Sequence, residues 1–161
     1  MEIKLADFSD PQVLALLQFH LDGMYATSPP ENVFALDLSG LQQHNVLLYT
    51  GWIEEGTTLA VIGALKMRDS GIAEIKSMRT HPDYLGKGLA AELLRFLLEQ
   101  AKARNAVQIS LETGSGKAFD AAIGLYKKHG FIKGDAFAEY QPSEFSQFFH
   151  LTLNPQDKDV L

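Results

Sequence analysis

Apolar positions along the chain change period several times, and each change marks an element. Glu2 to Ala6 alternates polar and apolar, which predicts a strand with Ile3 and Leu5 facing inward. Ser9 or Asp10 then caps a helix that takes Pro11 in its first turn, with Leu14, Leu17, Leu21 and Met24 as its expected buried stripe. Ser28-Pro29-Pro30 ends that helix and opens a second helical segment with Val33, Phe34, Leu36 and Leu41 as its apolar set. Two strand-like runs follow, Val46 to Glu54 and Thr57 to Met67, joined by a hairpin at Glu55-Gly56. Asp69-Ser70-Gly71 turns the chain into another strand, Ile72 to Thr80.

Beyond Thr80 the period lengthens. Ala90, Leu93, Leu94, Leu97, Leu98 and Ala101 recur at helical spacing with Glu92, Arg95, Glu99 and Lys102 opposite, so a long helix is expected to start between Gly86 and Gly88. Val107 to Thr113 reads as a short strand and Gly114-Ser115-Gly116 as a turn. Phe119, Ala122, Ile123 and Tyr126 mark one face of a helix that stops at Gly130. Phe131-Ile132 begins a strand, Phe145 to Leu153 closes the sheet, and the polar stretch from Asn154 to Leu161 is expected to fray. The result is a single α/β domain over residues 1–161, with a mixed, mostly antiparallel sheet flanked by helices in the order β-α-α-β-β-β-α-β-α-β-β.

Composition narrows the chemistry. A chain of 161 residues, 46% of them hydrophobic, suffices for one core. No apolar run approaches the ~20 residues of a membrane span, and no secretory leader is read at Met1-Glu2-Ile3-Lys4, so the expectation is a cytoplasmic protein with no membrane partner. The absence of cysteine removes a thiol nucleophile and thiolate metal sites. His20, His44, His81, His129 and His150 show no paired metal spacing, so no metal is assigned. A net charge of −6 argues against nucleic acid.

The stretch most suggestive of a ligand joins strand to long helix. Gly86 and Gly88 remove side chains from a turn at a helix start, where unpaired N–H groups and the helix dipole favour an anion, and Lys87 adds a cation. A P-loop needs G-x-x-x-x-G-K-[ST] and a dinucleotide fingerprint needs a third glycine. Neither is present, which disfavours ATP or NAD. Leu85-Gly86-Lys87-Gly88-Leu89-Ala90 instead resembles the [QR]-x-x-G-x-[GA] acyl-CoA turn of the GNAT superfamily, the Gcn5-related N-acetyltransferases, with Leu85 where the family usually has Gln or Arg. Ala122 to Phe131 resembles the A-I-x-L-Y-x-K-x-G-F ending of that family's fourth helix, although Phe119 replaces a common Asn. The element order agrees over essentially the whole chain. E-I-K-S-M-R-T, L-E-T-G-S-G and the late aromatics Phe137, Tyr140, Phe145, Phe148 and Phe149 are similar to a small bacterial single-domain subgroup.

The resemblance implies acetyl-CoA as cosubstrate and transfer of its acetyl group to a primary amine of a small-molecule or amino-acid-like acceptor, by direct attack in a ternary complex. It implies Glu74 as catalytic base and Tyr126 as the acid that protonates the leaving thiolate. Main-chain groups of Met78, Arg79 and Thr80 would line the pantetheine arm, and Leu85 to Ala90 would cradle the pyrophosphate. Tyr25 to Glu31 would shape the acceptor pocket, and a homodimer through late strands is possible. Beside these stand plainer readings: Glu74 as a charged strand residue, Tyr126 as a core aromatic with a polar tip, and the whole chain as a non-catalytic acyl-CoA-binding module. Lys76 and Arg79 could bind a carboxylate on the acceptor, contact cofactor phosphates or simply face solvent.

Overall fold

A computed structural model describes residues 1–153; the expected frayed stretch Asn154 to Leu161 lies outside them. Seven strands form one sheet: β1 (Glu2–Leu5), β2 (Val46–Ile53), β3 (Thr58–Met67), β4 (Ile72–Thr80), β5 (Gln108–Thr113), β6 (Ile132–Gly134) and β7 (Gln147–Thr152). Their spatial order is β1-β2-β3-β4-β5-β7-β6. Every neighbouring pair is antiparallel except β4 and β5. Four helices complete the fold: α1 (Pro11–Thr27), α2 (Leu38–Leu41), α3 (Leu89–Ala103) and α4 (Asp120–Lys128). The chain order is the one the apolar pattern predicts.

The β4–β5 pair shapes the molecule. Only Ile72, Ala73 and Glu74 pair with Gln108, Ile109 and Ser110, after which the two strands part. A bulge deepens the departure. Between Ile62 and Ala64 the β3 register shifts against β4, and Ser77 in the bulged stretch adopts φ 56°. The sheet is therefore a fork whose arms are the ends of β4 and β5.

Each face of the fork carries its own core. Leu93, Leu94, Leu97 and Ala101 of α3 are fully buried against Leu65, Ile75 and Phe149 of the sheet, as the spacing requires. On the other face Val13, Leu16 and Leu17 of α1 pack with Trp52, Ile62 and Leu41. A smaller aromatic cluster of Phe137, Tyr140 and Phe148, with Phe34 against it, closes the late loop over the sheet.

Three expectations shift. The buried stripe of α1 is Val13, Leu16, Leu17 and His20, with Leu14 exposed and Leu21 and Met24 only half-buried. Both rows have helical spacing, and contact with Trp52 and Ile62 selects the neighbouring one. Leu5 is 54% exposed, because β1 is an edge strand with little laid over its outer end. The second helical segment shrinks to the single turn α2, capped by Asp37 Oδ1 accepting from the Gly40 amide at 2.8 Å. Val33, Phe34 and Leu36 instead lie in irregular chain.

Candidate active site in the fork

The turn before α3 is built as the sequence suggests. Gly88 is the N-cap of α3 at φ 77°, and Gly86 sits at φ 75°, a region that costs other residues on the order of 1–2 kcal/mol. A Cβ at either glycine would meet open space, so the requirement comes from the backbone turn and leaves the approach to the helix clear. No side chain caps α3. Its first amides are therefore offered to whatever anion arrives, with Lys87 exposed beside them. The donor set, amides at a helix start plus one ammonium, fits the pyrophosphate of coenzyme A.

From this turn a cavity of about 440 Å³ runs between the arms of the fork. Met78, Arg79 and Thr80 line it along β4, Leu85 and Ala90 line its mouth, and Tyr126 stands on the α4 wall. Tyr126 is 6% exposed, and burial pushes its phenol above the ordinary tyrosine value. It therefore keeps its proton at physiological pH and is available as a hydrogen-bond donor. Phe131 meets its ring edge-on at 5.6 Å and helps fix its direction.

Glu74 does not line the cavity. It sits at the apex of the fork, 1% exposed, in the last pair that β4 makes with β5. Oε1 accepts from Arg68 Nε at 2.7 Å, and Oε2 accepts from the Tyr140 hydroxyl at 2.5 Å, with Lys76 Nζ at 3.5 Å. Arg68 continues to Glu139 through two hydrogen bonds of 2.8 and 2.9 Å. This arrangement departs from the role of base expected of Glu74. Both oxygens are committed to a buried network that ties β4 to the late loop.

The carboxylate facing the cavity is Glu112, near the end of β5. Burial raises it to about 7, with Ser146 and the Lys76 charge pulling it back and the Glu74 charge adding to the rise. Sequence reading passed over it, although a carboxylate at the end of a parallel strand, just before Gly114-Ser115-Gly116, lies where open α/β sheets place their ligands. His20 is the other omission. Its ring is buried on α1, lines the cavity and is held neutral, lowered to about 4 by burial and by the charges of Arg79 and Lys76. Of the expected acceptor loop, Met24 just before it and Thr27 within it reach the cavity, whereas Tyr25 is 63% exposed.

A sequence model of the acetyltransferase (GNAT) family matches residues 13–131. The chain belongs to that family and is an N-acetyltransferase. It is 44% identical to an uncharacterized N-acetyltransferase, YedL, of Escherichia coli strain K12, over 94% of each chain. It is 40% identical to YsnE, an uncharacterized N-acetyltransferase of Bacillus subtilis strain 168, over 92% of this chain and 97% of that one. Among solved structures, a Klebsiella pneumoniae protein assigned as an acyl-CoA N-acyltransferase superposes with a TM-score of 0.79 at 30% identity, over 95% and 97% of the two chains. A Bacillus subtilis acetyltransferase in complex with CoA shares the fold, with a TM-score of 0.65 at 20% identity over 95% of this chain and 99% of that one. Among the described residues no helix is long and apolar enough to cross a membrane, and no cluster of three or more His, Asp or Glu side chains could hold a metal ion.

Proposed function

We propose that the protein transfers the acetyl group of acetyl-CoA to the primary amine of a small, amino-acid-like acceptor by direct attack within the fork. The observation that carries this reading is the convergence of Tyr126 and Glu112 on one cavity that opens at an uncapped helix start. Coenzyme A supplies the activated acyl thioester when bound. The amides of α3 and Lys87 hold its pyrophosphate, and the parted end of β4 from Met78 to Thr80 presents main-chain groups to the arm.

The proton traffic falls to two side chains. An amine must be neutral to attack, and Glu112, set near 7, accepts its proton without the penalty a carboxylate of ordinary acidity would bring. As the N–C bond forms and the C–S bond breaks, the Tyr126 hydroxyl donates to the departing sulfur. Its raised proton affinity keeps it from ionising in the resting site. Without a cysteine no acyl-cysteine stage is available, which favours both substrates being bound together.

Initial-rate kinetics of thiol release, with acetyl-CoA and an amine panel varied against each other, test this. The expected result is an intersecting pattern with release that depends on the acceptor. Parallel lines would contradict direct attack, and saturable acetyl-CoA binding without release for any amine would contradict the reaction itself.

A further inference from the structure

The cavity holds a positive charge that no carboxylate among the described residues pairs with. Arg79 is half-buried on the β4 arm, and among the described residues it makes no ion pair. Its Nε donates to His20 Nδ1 at 3.0 Å, and its guanidinium carbon lies 5.7 Å from the Phe19 ring centroid. The histidine offers only a neutral lone pair, because burial and the neighbouring cations keep it unprotonated. The terminal nitrogens of Arg79 have no hydrogen-bond acceptor among the described residues. Of the acids of the fork, Glu74 is shared between Arg68 and Lys76, Glu139 is bound by Arg68, and Glu112, which lines the same cavity, forms no ion pair with Arg79.

The helix beside Arg79 is shaped to admit it. A Cβ on Gly23 of α1 would stand 3.1 Å from Arg79 Nη2, tighter than an ordinary contact, so glycine lets the guanidinium lie close against the helix, in mid-helix where glycine costs about 1 kcal/mol. Phe19, His20 and Gly23 thus orient the Arg79 cation into the cavity wall, and all four residues line it. A half-buried guanidinium whose terminal nitrogens have no protein partner is a seat for a planar monoanion.

We infer that the acceptor carries a carboxylate which binds Arg79 while its amine faces Glu112, so that the substrate class is free amino acids rather than simple amines. This inference rests on the reading above of the fork as an amine acetylation site. A single carboxylate balances the single unanswered charge, and the zwitterion places each of its ends against the opposite sign. Met24, Phe34 and Ile75 give the same wall, which also carries Lys76, Ser77 and Thr113, an apolar stretch that suits a hydrocarbon body between the two ends.

The test compares glycine, β-alanine, 4-aminobutyrate, leucine and phenylalanine with the carboxamide of each, at saturating acetyl-CoA, by thiol release. For at least one pair, kcat/KM for the acid should exceed that for the amide by about tenfold or more, the size of a charged hydrogen bond. Arg79→Gln should abolish the preference by raising KM for the acid alone, and Arg79→Lys should restore part of it. Calorimetric titration of the CoA-loaded wild-type protein with the same pairs reads the anion site without turnover and should favour the acid. Equal rates and equal binding for acid and amide would overturn the inference, even while acetylation of both upheld the reaction. A preference that survives in Arg79→Gln would overturn it too. So would an equal loss for both members with a raised KM for acetyl-CoA, which would make Arg79 a cofactor contact. Absence of binding by any acid to the CoA-loaded protein would likewise end it.

Discussion

Three ionisable side chains near the apex of the fork have different fates, and substitutions separate them. Glu112→Gln should lower kcat/KM by on the order of 10²-fold and erase the limb of the pH profile near 7, leaving the limb that belongs to the amine itself. Tyr126→Phe should cut kcat more than tenfold while acetyl-CoA affinity stays within a few-fold; equal losses in both would make it a packing residue. Glu74→Gln leaves Arg68 and Lys76 partly unanswered in a buried site and should cost about 3 kcal/mol of stability, read in denaturant, with the limb near 7 intact. Disappearance of that limb in Glu74→Gln would return the base to Glu74. Tyr126 was legible because a helix-ending motif surrounds it. Glu112 and His20 were not, because a lone Glu on a strand and a lone His on a helix carry no pattern. Only the parting of β4 from β5 and the seating of α1 turn them toward one space.

At the scale of elements, the turn from Gly86 to Gly88 and α3 were readable in full, since left-handed backbone, an uncapped start and a four-residue apolar stripe all leave marks in sequence. Gly88→Ala should destabilise the fold by about 1 kcal/mol, because the residue keeps φ 77°. It should also weaken acetyl-CoA binding at least several-fold, since the added methyl enters the open approach to the α3 amides. Calorimetry beside a thermal melt would show both losses; unchanged affinity would remove the turn from the cofactor site. Of the expected α1 stripe Leu17 is buried, while Leu14 is exposed and Val13 and Leu16 face inward, because the two rows lie too close for spacing to choose between them. The α2 segment departs for another reason: Phe34 lines the cavity and covers the late aromatic cluster while Leu36 packs on the α1 core, so the two do not share a helix face.

For the whole molecule, the buried groups of the fork link stability to pH in opposite directions. His20, depressed in the folded state to about 4, contributes stability that is present above about 6.5 and lost as pH falls toward 4. Glu112, raised to about 7, favours the folded state at low pH and loses that contribution as pH rises from about 4.5 to 7. Between pH 4.5 and 6.5 the two oppose each other. Glu112→Gln should therefore lose more stability than the wild type on acidification through that window, and matching slopes would show that Glu112 is not raised. The domain order was legible because each strand and helix has its own period. The split between β4 and β5 was not, since it depends on pairing that stops after Glu74 and on a bulge that no local residue preference announces. The claim on which the rest depends is that this split and the glycine turn together bind acetyl-CoA. Calorimetric titration of the purified protein with acetyl-CoA tests it most directly: one saturable site, displaced by CoA and untouched by ATP or NAD, is the predicted result. No binding, or equal displacement by ATP, would contradict the account.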